Sequence, residues 1–219
     1  MARESLASKR ERAAAIEERM FEHYGPGKAS LDYRTPFELT VAVVLSAQCT
    51  DAAVNKVTPR LFAAFPTPAA MATASSDEVA EIIHSLGFFR SKAKNLVALA
   101  QMVTADFGGD VPADVDELQK LPGVGRKTAN LILGDMYHTP GVVVADTHCI
   151  RITGRLGITD GSKDPVKVEQ QLRKAIPPAE SGPFCHRMVL FGLDVCTARS
   201  PQCEDCPLKA DCAQGKKLK

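Results

Sequence analysis

The sequence predicts an all-α protein, and three observations carry that expectation. Aromatic residues make up only 5% of a chain that is 45% hydrophobic, and tryptophan is absent, so alanine, leucine and valine supply the core. That palette favours packed helices over a sandwich built on aromatic cross-strand pairs. Apolar residues recur at helical period through most segments. Prolines at 66/68, 140 and 177/178/183 fall between those segments, as do the glycines at 108/109, where they start or stop helices.

The elements follow in order. The first twenty residues, MARESLASKRERAAAIEERM, are rich in arginine but also carry Glu4, Glu11, Glu17 and Glu18. An export signal needs an apolar block and a transit peptide is poor in acids, so neither is expected and a cytoplasmic protein is. TVAVVLSAQ (40–48) is β-branched enough for a buried strand, but its helical surroundings make it a buried helix. In RSKAKNLVALAQMVTADFG, Leu96, Leu99, Ala100, Val103 and Phe107 share one stripe, and Gly108 and Gly109 end it. Pro112, Asp114 and Glu117 then open a helix with the pattern of a capping box. Ala129, Ile132, Leu133 and Met136 repeat the stripe after a five-residue glycine turn. GVVVADTH (141–148) is expected as an extended connection ending where Asp146 or Thr147 caps a helix through Cys149, Ile152 and Leu156 to Gly157.

A length of 219 residues suits one large domain or two small ones. The formal charge of +1 excludes a uniformly basic protein but leaves room for a locally basic face. No apolar run approaches the roughly 18 residues that span a membrane, and no internal repeat is present. Seven cysteines, an odd number, point to thiols or metal ligation rather than a disulfide framework.

Two stretches carry chemistry. LPGVGRKT (121–128) fails the Walker pattern, because a single residue separates its glycines and a helix precedes them. Its glycines permit close backbone approach, and the helix that follows presents unpaired N–H groups with partial positive charge. Such a turn suits a polymer phosphodiester, although an ordinary helix connection accounts for the spacing equally well. Lys127 points nearly opposite the apolar stripe of that helix. Its place at a helix tip beside Arg126 is one that suits a nucleophile. At the other end, Cys196, Cys203, Cys206 and Cys212 form C-x6-C-x2-C-x5-C. Four thiolates so close together imply one metal centre. Zinc and a cubane iron–sulfur cluster both take such a set, and sulfur chemistry alone leaves the two open.

Taken together, LPGVGRKTAN, ADTH at 145–148 and the cysteine tail resemble the endonuclease III family, helix-hairpin-helix DNA glycosylases of base excision repair. LSAQCTD (45–51) and GFFRSKA (87–93) are similar to that family's DNA-facing loops. The likeness runs from about residue 10 to Cys212. It implies two all-α domains flanking a cleft: a six-helix domain at 29–139 holding the helix-hairpin-helix, and a second domain of 1–28 with 140–219 holding a [4Fe–4S] cluster on the four cysteines.

The resemblance also implies a reaction. A monomer would bind damaged double-stranded DNA, remove oxidised pyrimidines and nick the abasic site by β-elimination through a lysine Schiff base. Lys127 would be the nucleophile and Asp146 its partner across the cleft. Gly123 and Gly125 would lend N–H groups to a phosphate, flanked by Arg126 and Thr128. Gln48 would enter the gap left by the extruded nucleotide. Phe88 aligns where the family often carries leucine as a wedge, and Cys49 where a small residue such as alanine is expected. Arg90 and Lys92 lie in a stretch without acids from 82 to 105, which suits phosphate contact. His148 is expected beside the site, and Cys149 and Cys185 as core thiols. Adenine-mismatch relatives typically carry serine at the hairpin lysine and thymine-mismatch relatives more often tyrosine, so Lys127 argues against both. A non-catalytic DNA-binding module would explain the hairpin and the cysteines but leave Lys127 and Asp146 without a task.

Overall fold

The computed structural model describes residues 4–27 and 29–215, and every regular element among them is helical. The chain divides into two compact units, residues 1–28 with 138–219 and residues 29–137. No helix among the described residues is long and apolar enough to cross a membrane. Helix α1 (Leu6–Tyr24) opens the first unit, with the Ser5 hydroxyl accepting the Ser8 N–H as its cap.

The 29–137 unit contains α2 (Pro36–Ser46), α3 (Asp51–Ala64), α4 (Pro68–Ala72), α5 (Ser76–Ile83), α6 (Phe89–Asp106), α7 (Val115–Leu118) and α8 (Arg126–Asp135). Every residue of α2 from Phe37 to Leu45 is buried, as a helix apolar on all sides must be. It is the post on which α3, α6 and α8 pack. The β-branched run at 40–48 is thus helical up to Ser46. Threonine and serine caps at Thr35, Thr50, Thr67 and Ser75 fix where α2 to α5 begin. Helix α6 lays Leu96, Leu99, Ala100 and Val103 inward, against α4 and α5.

The capping box expected at Asp114 forms on one side only. Asp114 accepts the N–H groups of Asp116 and Glu117, but the Glu117 carboxylate turns to Lys120 Nζ at 2.8 Å. With four residues, α7 is one helical turn.

In the other unit, Val142, Val143 and Val144 run buried and without regular structure into α9 (Thr147–Leu156), which ends at left-handed Gly157. Then follow α10 (Pro165–Ala175), a 3-10 turn at Pro178–Glu180 and α11 (Ser181–Asp194). Helix α11 packs on α9 and α1, and α1 on α10. Cys149 and Cys185 are core thiols, as expected. Arg187 of α11 has no exposed surface. It pairs with Glu17 of α1, reaches Glu180 at 3.3 Å and donates to the Gly25 carbonyl at 3.1 Å. Burial pushes the Glu17 carboxyl up to about 7, outweighing the attraction of Arg187.

Candidate functional site

The glycine turn is anchored from beneath and open above. Leu121 and Val124 are buried, and the Val124 N–H closes a turn onto the Leu121 carbonyl at 3.0 Å. Between them Gly123 takes φ +83, a conformation that L side chains rarely adopt. A Cβ there would lie 3.1 Å from Val44 Cγ1 and 3.3 Å from Asn95 Nδ2, so the turn presses on α2 and α6. Gly125 caps α8 without a side chain, leaving the positive end of the helix facing outward. Gly123, Gly125, Arg126 and Lys127 are exposed and Thr128 is half-buried. Ala129, Ile132 and Leu133 turn into the core. Lys127 therefore stands in the first turn of α8 on the side away from the core.

Two further turns of the same unit carry strained, exposed side chains. Gln48, just past α2, and Phe88, which caps α6, both take φ 57. Gln48 is exposed, and Phe88 is 68% exposed. Non-glycine residues in this region are uncommon. Arg90 is exposed and its guanidinium stacks 4.9 Å above the Phe89 ring.

Lys92 corrects the sequence reading. It was expected at a phosphate, but it is only 5% exposed. Its Nζ donates to the Leu45 carbonyl at 2.8 Å and to Cys49 Sγ at 3.0 Å. The reason is register: Lys92 continues the stripe of Leu96, Leu99 and Val103 at spacings of four and three, so it enters the core with them. Cys49 is half-buried at the foot of the Gln48 turn.

In the other unit, Asp146 is the N-cap of α9, its Oδ1 accepting the Cys149 N–H at 2.7 Å. Asp146 is half-buried, and the cap uses one of its two carboxylate oxygens. His148 is half-buried in the first turn of the same helix. Its ring lies against Gly192 of α11, where even a Cβ would collide with Nδ1, and Nδ1 meets Arg151 Nη2 at 3.3 Å. Glycine at 192 makes the space for the imidazole.

The four cysteines of 196–212 line one cavity, with Leu156, Phe191, Val195 and Pro201 as apolar walls. Four thiols lining one cavity are a set that an iron–sulfur cluster takes. Two arginines support the rim. Arg155 donates to Cys196 Sγ at 3.3 Å and to the Thr197 carbonyl at 2.7 Å, and Arg151 donates to the Cys196 carbonyl at 3.0 Å. The sequence reading missed both, although their i,i+4 spacing on α9 placed them on one face.

Comparison with known proteins agrees with this geometry. Residues 41–178 match the model of the HhH-GPD superfamily of base excision DNA repair proteins. Residues 196–212 match the iron–sulfur binding domain of endonuclease III. The chain is 44% identical to an endonuclease III of Synechocystis over 94% of both chains. It is 43% identical to the Bacillus subtilis endonuclease III over 90% of this chain and 89% of that one. A solved structure of a trapped covalent intermediate between endonuclease III and DNA superposes with a TM-score of 0.88 at 42% identity, covering 95% of this chain and 98% of that one. Helix-hairpin-helix turn, α9 cap and four-cysteine cavity thus come together with these matches: the chain belongs to the endonuclease III family of base excision DNA repair proteins, and its four terminal cysteines form the family's iron–sulfur binding segment.

Proposed function

We propose that Lys127 is the nucleophile of this bifunctional DNA glycosylase and abasic-site lyase, and that oxidised pyrimidines in duplex DNA are its substrates. One observation carries the reading: Lys127 stands exposed in the first turn of α8, beside a glycine turn that is open to a phosphate and braced from below. Gly123 and Gly125 let the DNA backbone approach the N–H groups at the helix tip. A damaged base is extruded from the stack at a cost of a few kcal/mol, least where pairing is already weakened.

The amine of Lys127 then attacks C1′ of the deoxyribose. The glycosidic N–C1′ bond breaks and the base leaves with the bonding pair and takes up a proton; the amine then loses a proton, its lone pair forms C=N as the C1′–O4′ bond breaks, and O4′ takes up a proton, so the opened sugar is held as a protonated Schiff base. Removal of a C2′ proton moves electrons toward the iminium and expels the 3′ phosphate, so the strand is nicked 3′ to the lesion. Hydrolysis of the imine frees the lysine. An ionised Asp146 stabilises the positive charge that develops on the sugar as the base departs. Gln48 and Phe88 reach into the duplex, Arg90 contacts phosphate, and the protein acts as a monomer in the cytoplasm. The four cysteines hold a [4Fe–4S] cluster, which ties the 196–212 segment together.

Duplexes carrying single defined lesions test this. An oxidised pyrimidine should yield a strand cut on its 3′ side and ending in an unsaturated aldehyde. An uncut strand bearing a hydroxyl at C1′ would mean that water, not the lysine, attacks.

A further inference from the structure

Lys92 joins the two strained turns of the 29–137 unit. Its backbone N–H donates to the Phe88 carbonyl at 3.0 Å, closing the first turn of α6. Its side chain runs the other way, to the Leu45 carbonyl at 2.8 Å and Cys49 Sγ at 3.0 Å. Leu45 lies in the last turn of α2, where carbonyls lack helical partners and the dipole is negative. That turn carries no basic residue of its own, so Lys92 supplies the charge from α6. Gln48 sits between the two acceptors, and Phe88 sits on the other side of the same lysine. Both hold φ 57. Such backbone persists only where its surroundings over-determine it. Asn95, one turn further along the same face of α6, meets Gly123, so the hairpin shares this foundation.

Burying a lysine is costly unless its donors are satisfied, and a methionine would fill the same space. The hydrogen bonds, not the volume, set this residue apart. We propose that Lys92 is a positioning residue for base extrusion: it locks Gln48 and Phe88 into one rigid pair of probes before DNA arrives. The proposal rests on reading those two side chains as the ones that enter the duplex. A pair held in place in advance loses less freedom on binding. Cys49 is part of the device, because a smaller residue there would remove one of the two acceptors.

The test compares single-turnover excision from a fully paired damaged duplex with cleavage at a preformed abasic site, which has no base to extrude. Lys92→Met should lower the ratio of excision to cleavage by about tenfold, as expected for a lost hydrogen bond to a charged group. Gln48→Ala should lower it as well, and the two losses should fall short of multiplying in the double variant, because the lysine acts in part through that turn and in part through Phe88. Cys49→Ala, which spares the Leu45 bond, should lower it by about threefold and serves if Lys92→Met does not fold. An unchanged ratio in the folded lysine variant, or losses that multiply in the double variant, would overturn the clamp. Where Lys92→Met does not fold, an unchanged ratio for Cys49→Ala does so. If Gln48→Ala leaves the ratio unchanged, the reading of Gln48 as a probe fails, and the clamp with it. If Gln48→Ala lowers it while Lys92→Met does not, only the clamp fails.

Discussion

The carboxylate of Asp146 accepts the backbone N–H of Cys149 at 2.7 Å, so the residue proposed to stabilise charge on the sugar also starts helix α9. Capping and catalysis can be separated by substitution. Asparagine caps as well as aspartate, whereas alanine costs about 1 kcal/mol. Asp146→Asn should therefore melt close to wild type and Asp146→Ala a few degrees lower, while both lose about a hundredfold in excision rate. Full activity in Asp146→Asn would leave the carboxylate with capping alone.

Gly123 and Gly125 should respond differently to alanine. At Gly123 the positive φ and the contacts with Val44 and Asn95 predict a loss of about 1–2 kcal/mol, read as a lower denaturation midpoint. At Gly125, φ is −91 and a Cβ would meet nothing within 4 Å, so Gly125→Ala should unfold within about 0.5 kcal/mol of wild type. Any fall in its DNA affinity then reports crowding at the phosphate. Equal destabilisation of the two variants would contradict this description of the turn.

Much of this was legible in the sequence, for physical reasons. Helix α9 was readable because a carboxylate, an apolar stripe and a terminal glycine all agreed on one register. The burial of α2 was readable because its apolar residues leave no polar face. Lys92 was misread because its charge was weighed above its register, yet the spacing to Leu96 and Leu99 already pointed inward. His148 could not have been placed, since its pocket depends on Gly192, forty-four residues away and glycine for a reason visible only in three dimensions. The half-formed cap at Asp114 reflects competition from Lys120 for Glu117, and local pattern rules omit such rivals.

The metal content follows from the cysteine cavity. The purified protein should be brown, with about four irons per chain, and Cys206→Ser should lose the visible absorbance. Stoichiometric zinc in place of iron would contradict the cluster.

Glu17 should give the fold a pH dependence whose sign follows from its burial. Its folded value of about 7 lies above the ordinary 4.5 because of burial. A carboxyl raised in this way favours the folded state when protonated. Its contribution is complete below about pH 4.5 and is lost as pH rises through 7. Glu17→Gln cannot ionise, so its melting temperature relative to wild type should climb between pH 5 and pH 8, by the equivalent of a few kcal/mol at most. A difference that stays flat or falls would show that Arg187 holds the carboxylate ionised throughout.

The most direct measurement is reductive trapping on damaged duplex, with mass spectrometry of the crosslinked peptide. Borohydride should lock wild-type protein to DNA through the peptide containing Lys127, and Lys127→Ala should give no adduct. A crosslink at another residue, or equal trapping by Lys127→Ala, would contradict the assignment on which the mechanism stands.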